Sequence, residues 1–197
     1  MDEKFDISLY NDEFFEWHRI HVHDNCKELG RILAQEYDVK SLVDFGCGIG
    51  SFLQGALSHG VKKVFGVEIG GEYAKKYTDK SMQGFINFNG DLTKLIVCDH
   101  PFDVSICTEV AEHIETQYSE ILIENICRNT ERMCVFTGAH PGQQGCGHIN
   151  CQPKEFWMDL FKKNGFSYSG VHTNNLASLW SNAPQYYLDN LMVFNHD

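Results

Sequence analysis

Two stretches of the sequence carry residue types that acid–base or metal chemistry requires. The first is Glu109-Val110-Ala111-Glu112-His113. If this stretch begins a helix, Glu109, Glu112 and His113 share one face, because residues three and four positions apart are neighbours on a helix. Such a set could hold Mg²⁺ or a similar ion, or the histidine could be a general base that a carboxylate orients. A structural cap is the third interpretation of the same residues.

The second stretch is the glycine-rich loop at residues 138–150. It is too rich in glycine to pack by itself, and loops of this kind are often functional. It contains His140, Cys146 and His148. The spacing of Cys146, His148 and Cys151 could suggest zinc, but no clear fourth ligand lies nearby in the sequence, which disfavours a zinc site.

A separate glycine-rich segment, Gly46-Cys47-Gly48-Ile49-Gly50, lies where a strand should give way to a helix. It follows the buried-strand pattern of Ser41–Phe45 and precedes the helix-like Ser51–Ser58. Glycines at such a junction permit a tight turn and a close approach of the backbone to a ligand, which implies a nucleotide-type cofactor. The dinucleotide fingerprint needs Gly or Ala at position 51, so Ser51 makes NAD a less favoured cofactor.

Strand-like and helix-like segments alternate along the chain and must position these candidate residues. An amphipathic helical segment from Glu13 to about Glu36 comes first. The further predicted strands are Lys63–Glu68, Phe85–Asn89, Asp103–Thr108, Arg132–Gly138, Phe166–Val171 and Leu191–Asn195. The further predicted helices are Glu72–Lys80, Tyr118–Asn129 and Pro153–Asn164.

This alternation predicts an α/β fold. We expect a Rossmann-like, seven-stranded, mainly parallel sheet with helices on both faces, preceded by an N-terminal helical segment. Ligands of such sheets bind beyond the carboxyl ends of the strands, near the point where the strand order reverses. The candidate motifs follow predicted strands, so we expect them at that edge.

Length and composition limit the remaining functions. The 197 residues fit one domain, and the formal net charge of −11 disfavours nucleic acid and anionic lipid as partners. Eight cysteines are not needed as disulfide staples in a chain with 43% hydrophobic residues, which predicts a reducing compartment. No stretch approaches the roughly 18 apolar residues of a membrane span, and the acidic N-terminus lacks the features of a signal peptide. We therefore expect a cytoplasmic protein.

Four motifs together resemble those of class I S-adenosylmethionine-dependent methyltransferases. Asp44 precedes the G-x-G-x-G segment, Glu68 ends the second predicted strand, Asn89-Gly90-Asp91-Leu92 follows the third, and Phe102–Glu109 contains the fourth. The resemblance covers residues 41 to about 115. It implies S-adenosylmethionine as the cofactor and S-adenosylhomocysteine as the product.

The resemblance also implies which residues hold the cofactor. Glu68 would accept hydrogen bonds from the ribose hydroxyls, Asp91 would meet the adenine amino group, and Leu92 would pack on the adenine ring. The full predicted cofactor set is Asp44, Gly46, Cys47, Gly48, Gly50, Glu68, Asp91, Leu92, Thr108 and Glu109.

Two further resemblances concern the substrate side. The segment at residues 148–150 resembles a His-Ile/Val-Asn segment of many small-molecule and sugar methyltransferases, in which the histidine faces the substrate pocket. The predicted catalytic residues are therefore His148, His113 and Glu112, with His148 as the preferred base, His113 second and His140 third.

The E-x-x-E-H string resembles the metal motif of O-methyltransferases that act on the 3′-terminal ribose of small RNAs or on ubiquinone precursors. The primary prediction is a site without metal. The alternative is an Mg²⁺ site formed by Glu109, Glu112, His113 and His148.

The predicted function is O-methylation of a small molecule, with a sugar or glycan hydroxyl as the leading acceptor. The alternatives are an RNA ribose 2′-O-methyltransferase that uses the metal motif, and a non-catalytic cofactor-binding protein of the same fold. We expect one domain over residues 1–197, with a helical lid at 1–40 and a Rossmann-like core at 41–197. The N-terminal segment contains aromatic and histidine side chains that are either surface and boundary residues or parts of the lid: Tyr10, Phe14, Trp17, His18, His21 and His23. Trp180 is either a pocket wall or a core residue. The sequence does not indicate the oligomeric state.

Overall fold

The computed structural model describes residues 5–197, which form one seven-stranded sheet with helices on both faces. The strands are β1 Ser41–Phe45, β2 Lys63–Val67, β3 Ile86–Asn87, β4 Phe102–Cys107, β5 Thr130–Phe136, β6 Phe166–Tyr168 and β7 Met192–His196. The helices are α1 Asp12–His21, α2 His23–Glu36, α3 Ser51–Ser58, α4 Gly71–Tyr77, α5 Ser119–Arg128, α6 Lys154–Lys163, α7 Gly170–Leu179 and α8 Gln185–Asn190.

The strand order is β3-β2-β1-β4-β5-β7-β6. Strands β1 to β5 pair in parallel, whereas β7 is antiparallel to both of its neighbours. The order reverses between β1 and β4, and the carboxyl ends of these two strands therefore form the crevice where such sheets bind ligands. The predicted fold class is confirmed.

Alternate residues of the strands fill two cores, one on each face of the sheet. Leu42 and Val104 point to the face that α2 and α3 cover, and Val43 and Phe136 point to the face that α5 and α6 cover. Both faces are apolar because helices cover both, so the strands are continuous hydrophobic runs. The sheet is thereby a rigid platform for the loops at its carboxyl edge.

Two differences from the predicted elements have a clear local cause. The β3 strand has two residues, because after Asn87 the backbone hydrogen bonds pass to the loop, where Gly90 N donates to Glu68 O at 2.8 Å. The β6 strand stops at Tyr168, because the Ser169 side chain accepts from His172 N and caps a helix there. The sequence analysis identified neither α7 nor α8.

None of the helices within residues 5–197 combines the length and the apolar character that crossing a bilayer would require.

Candidate cofactor and active site

A cavity of about 780 Å³ opens at the carboxyl edge of the sheet. Its floor is formed by residues that directly follow β1, β2 and β4, and its other walls come from the N-terminal segment, the loop at 138–150 and α8. Residues from all predicted motifs line it: Gly46, Gly48, Glu68, Asp91, Leu92, Thr108, Glu109, His113 and His148. The cavity is large enough for a nucleoside cofactor together with a small acceptor.

The glycine segment turns the chain from β1 into α3 and presents its backbone to the cavity. Gly48 has φ +55°, a conformation that glycine adopts without steric cost. A Cβ added at Gly48 would meet only the Cε1 atom of His18, at 4.0 Å, so the space above this backbone is open. Gly50 has φ +79°, and this left-handed conformation favours glycine, whereas an added Cβ would meet only the end of the Ile86 side chain. The segment is therefore a cradle that a ligand can approach closely.

Glu68 lies at the end of β2 and is buried beside this cradle. Its carboxylate accepts from Gly48 N and Gly70 N, each at 2.7 Å. These bonds fix the side chain, and the remaining lone pairs of both oxygens stay available to ligand hydroxyls. Burial raises the pKa of the Glu68 carboxyl, although the backbone donors counteract part of that rise. The position fits the role predicted for Glu68.

Three residues of the predicted cofactor set, Asp44, Cys47 and Gly50, do not line the cavity. Asp44 is buried, and its Oδ2 has no hydrogen-bond partner. Burial raises the pKa of Asp44, and the negative charge of Glu68 raises it further. Cys47 is also buried, with Sγ packed towards Gly66 of β2. Their roles as cofactor ligands stay predictions.

Asp91 and Leu92 lie on the far side of Glu68, after β3. The Asp91 carboxylate accepts from Thr93 N and Thr93 Oγ1, at 3.0 and 2.6 Å, and pairs with Lys94 at 2.9 Å. Leu92 is buried and contributes an apolar surface to the same wall. A carboxylate beside an apolar side chain suits an amino-substituted aromatic ring, as the adenine role requires.

Glu109 departs from the predicted helix. It has φ +54°, in the left-handed region, and only a short 3₁₀ turn follows, at Ala111–His113. Thr137 fixes this conformation: its Oγ1 accepts from Glu109 N at 2.7 Å and donates to Glu109 Oε1 at 2.8 Å. Asn190 donates to the same oxygen at 3.3 Å. The prediction of a helix at this point is wrong, because the tertiary contact with β5 overrides the local pattern.

Three of the predicted catalytic or metal residues nevertheless meet. Ligand atoms of Glu112, His113 and His148 all lie within 4.8 Å of one another. His113 Nδ1 is 3.0 Å from Gly147 O. A carbonyl oxygen only accepts, so Nδ1 carries the proton and Nε2 keeps its lone pair. Within residues 5–197 this cluster does not include Glu109.

The electrostatics of this cluster favour neutral side chains. Burial raises the pKa of Glu112, and neighbouring Glu109 raises it further. Both carboxyl oxygens of Glu112 are buried without a hydrogen-bond partner. Burial lowers the pKa of His113 to about 4 and also lowers that of His148. Both imidazoles are thus uncharged near neutral pH, in the form that accepts a proton or binds a metal.

The other candidates of the 138–150 loop lie apart from this cluster. His140 is exposed, and its Nδ1 lies 3.0 Å from Pro141 O, outside the residues that line the cavity. Cys146 lines the cavity, and Cys151 Sγ is 3.8 Å from His148 Nδ1. Among residues 5–197, the candidate metal-binding group that contains His148 includes neither of these cysteines.

The N-terminal segment covers one side of the cavity. Tyr10, Phe14, Trp17 and His18 all line it. The Tyr10 ring lies 5.0 Å from that of Phe14 and 6.2 Å from that of His113. The segment thus reaches from the glycine cradle to the histidines.

Trp180 belongs to the core. It is fully buried, donates through Nε1 to Asn25 O at 2.8 Å, and lies outside the cavity lining. Three tyrosines line the cavity although they were not predicted to do so from the sequence: Tyr118, Tyr186 and Tyr187. Pro184, directly before α8, was the available signal for the last two, because proline favours helix starts.

Known proteins share parts of this sequence and this fold. Residues 43–132 match the family model described as "Methyltransferase domain". The sugar N-methyltransferase from Streptoalloteichus sp ATCC 53650 has a similar structure, with a TM-score of 0.70 and 14% identity over 93% of this chain and 92% of that one. No curated protein matches the chain in sequence.

Two further solved structures show the same fold. Magnesium protoporphyrin IX methyltransferase from Synechocystis PCC 6803, with bound S-adenosylmethionine, gives a TM-score of 0.63 at 16% identity, over 89% of this chain and 79% of that one. An amino pentose methyltransferase from Micromonospora echinaspora, also with S-adenosylmethionine, gives 0.62 at 15% identity, over 89% and 91%.

The fold is thus the one that class I S-adenosylmethionine-dependent methyltransferases share. The methyltransferase domain predicted from the motifs is confirmed for residues 43–132. The bound S-adenosylmethionine of two similar structures agrees with the predicted cofactor.

Proposed function

We propose that this methyltransferase acts on a hydroxyl group of a small molecule. The observation that carries the proposal is the meeting of Glu112, His113 and His148, of which the two histidines line the cavity and Glu112 is buried behind it. A hydroxyl is a weak nucleophile until its proton leaves, and a neutral imidazole is the usual acceptor of that proton. An amine acceptor would need little such assistance.

S-adenosylmethionine supplies a methyl group already activated on a sulfonium. The chain has to align donor and acceptor, which can contribute several kcal/mol, and to remove the acceptor proton. We assign the backbone of Gly48 and the carboxylate of Glu68 to holding the donor. We assign the lid that excludes water from the reaction to α1 and the segment before it, which line the cavity, whereas α2 packs into the core.

His113 is our candidate for the general base. Its hydrogen bond to Gly147 O fixes the ring and leaves Nε2 free to take the hydroxyl proton. His148, with its ring centroid 5.1 Å away, is assigned to orienting the acceptor. This reverses the order of preference from the sequence, because the Gly147 carbonyl specifies the tautomer of His113.

A methyl-transfer assay with the His113→Ala variant tests this function. We expect transfer from labelled S-adenosylmethionine to hydroxyl acceptors to fall about 10²–10⁴-fold, the usual contribution of a general base. Affinity for S-adenosylhomocysteine should be unchanged. His140→Ala is the matched control, because His140 is exposed outside the cavity. Equal activity of the two variants would exclude His113 as the base.

A second candidate is metal-assisted transfer to a hydroxyl. The observation that favours it is the buried Glu112 carboxyl, whose two oxygens have no partner and lie beside two imidazoles. A carboxylate and two imidazoles suit a divalent ion, and a His113 whose Nδ1 donates to a carbonyl has the orientation that metal-ligating histidines adopt. Glu112, His113 and His148 would hold the ion, which would acidify the acceptor hydroxyl.

Calorimetric titration with MnCl₂ and MgCl₂ separates the two candidates. If a metal belongs to the site, binding should be lost in Glu112→Gln and retained in the exposed control Glu131→Gln. Absence of binding in the wild type, together with full methyl transfer in the presence of a chelator, would leave the metal-free mechanism.

A further inference from the structure

Seven Phe, Tyr and Trp side chains line the cavity, and all but the buried Tyr187 are at least partly exposed to it. We call the other six the aromatic wall: Phe5, Tyr10, Phe14, Trp17, Tyr118 and Tyr186. Tyr10 is the member of this wall that contacts His113: the two ring centroids lie 6.2 Å apart, and the angle between the ring planes is 82°. Phe5 and Phe14 flank Tyr10, at 5.6 and 5.0 Å between ring centroids.

The residues of the aromatic wall come from two parts of the chain that are far apart in the sequence. Tyr10 precedes α1, whereas Tyr186 lies on α8. Both Tyr186 and Glu109 line the cavity, and burial together with the charge of Glu109 raises the pKa of Tyr186 to about 12. Trp17 remains 52% exposed and Tyr186 37% exposed although both line the cavity. Large rings left open in this way at a cavity are typical of a surface that a ligand covers.

The charge of the cavity adds a second, independent restriction. None of the cavity-lining residues within the described chain is Lys or Arg, while Glu68, Asp91, Glu109 and Glu115 all line it. A phosphate or carboxylate on the acceptor would find no cationic partner here. The same field suits the positive sulfonium of the donor.

We propose that the acceptor is an uncharged, planar aromatic molecule whose hydroxyl is attached to the ring, in place of a sugar. This inference rests on the proposed hydroxyl methylation. Aromatic walls bind planar rings by stacking and edge contacts, whereas a sugar needs several hydrogen-bond partners around its rim. A ring packed on Tyr10 places its own hydroxyl next to His113.

The reaction balances without a further reactant. The acceptor oxygen forms a bond to the methyl carbon, and the sulfur–carbon bond breaks with its electron pair going to sulfur. The sulfonium thus becomes the neutral thioether of S-adenosylhomocysteine. The hydroxyl proton passes to Nε2 of His113 and then to solvent.

Calorimetry on protein saturated with S-adenosylhomocysteine tests the proposal with three probes. They are 2-naphthol, its anionic analogue 6-hydroxy-2-naphthoate, and methyl glucoside. We expect 2-naphthol to bind at least tenfold more tightly than the naphthoate, and the glucoside to show no binding. Methyl transfer to 2-naphthol should be detectable with S-adenosylmethionine. Tighter binding of the glucoside or of the naphthoate would overturn the proposal.

Variants of Tyr10 keep the test independent of folding. Tyr10→Phe retains the ring and should bind 2-naphthol as the wild type does, whereas Tyr10→Leu should bind it at least tenfold more weakly. Both should keep the wild-type affinity for S-adenosylhomocysteine. Tyr73→Leu is the control, because Tyr73 is exposed on α4 and outside the cavity. Equal 2-naphthol affinity of all variants would exclude the aromatic wall as the acceptor site.

The outcomes also distinguish the aromatic acceptor from the proposed methyl transfer on which it rests. Failure to bind S-adenosylhomocysteine would remove the proposed methyl transfer itself. Methylation of methyl glucoside with no binding of 2-naphthol would retain hydroxyl methylation and overturn the aromatic acceptor.

Discussion

At the scale of single residues, Glu68 is already hydrogen-bonded to the protein's own backbone before any ligand binds. Its two oxygens accept from Gly48 N and Gly70 N, and so tie the glycine cradle to the end of β2. A ligand that bonds to Glu68 therefore binds to a group already fixed in place, and little side-chain entropy is lost.

The Glu68→Gln substitution tests this arrangement. An amide has one acceptor oxygen, so its NH₂ group must face one of the backbone donors. We expect affinity for S-adenosylhomocysteine to fall about 10-fold to 100-fold, the equivalent of about 1.5–3 kcal/mol for a hydrogen bond to a charged group. Calorimetric titration measures it. Glu72→Gln, on the exposed start of α4, should bind as the wild type does; an unaltered Glu68→Gln would remove Glu68 from the cofactor site.

The pH profile of methyl transfer tests His113. The groups that face it are Tyr10, Glu112, His148 and the carbonyl of Gly147. Burial lowers the pKa of His113 to about 4, so its imidazole becomes protonated only in acid. The rate should therefore be constant from about pH 6 to about pH 8 and fall only at lower pH. An inflection near 6.5, the usual pKa of histidine, would show that a different, solvent-exposed histidine is the base.

Motif spacing predicted the cavity residues at the carboxyl edge of the sheet, because the glycines, Glu68 and Asp91 lie at strand ends that any parallel sheet brings together. The spacing did not predict the conformation of Glu109, because the bond to Thr137, directly after β5, is not visible in the local sequence. The spacing also did not predict that Tyr186 lines the cavity, because its helix, α8, lies outside the motifs.

At the scale of elements, the packing of α2 on α3 depends on close backbone contact. A Cβ added at Gly55 would lie 2.0 Å from Lys27 O, a distance that no side-chain rotation relieves. The partner helix has the same feature, since a Cβ at Gly30 would lie 2.1 Å from Phe52 O. The helix that follows the glycine cradle, α3, is thereby held against α2.

The Gly55→Ala substitution should therefore destabilise the fold although alanine favours helices. We expect the free energy of unfolding to fall by about 1–3 kcal/mol, the usual cost of overpacking. Urea denaturation measures this value. Gly84→Ala is the matched control, because a Cβ there meets nothing within 4 Å. Equal stability of both variants would show that α2 can shift away from α3 at no cost.

Elements with a strong local pattern were predicted closely. Both β1 and α3 have the predicted bounds, Ser41–Phe45 and Ser51–Ser58. The region 170–190 was not assigned helices, because α7 and α8 acquire their stability from packing on the sheet. Leu176 and Tyr187, both buried, provide those contacts.

At the scale of the whole molecule, charge decides between classes of acceptor. A chain with net charge −11 repels phosphate backbones, and the cavity walls add no local basic patch. We expect no binding of a short RNA duplex at about 150 mM salt, as measured by fluorescence anisotropy, since non-specific binding depends on cationic side chains. Micromolar binding of the RNA 3′ end would favour the ribose acceptor instead.

The position of β7 governs the order in which the molecule can assemble. This strand is the last of the described chain, yet it pairs with β5 on one side and with β6 on the other. During synthesis β5 and β6 are translated before β7, so β5 is paired only with β4, and β6 has no partner strand within the described chain, until residues 192–196 have been translated. Until then β5 presents an unpaired hydrogen-bonding edge, the kind of surface on which nascent chains associate wrongly. The pairing of β7 closes this edge of β5 and gives β6 its place in the sheet.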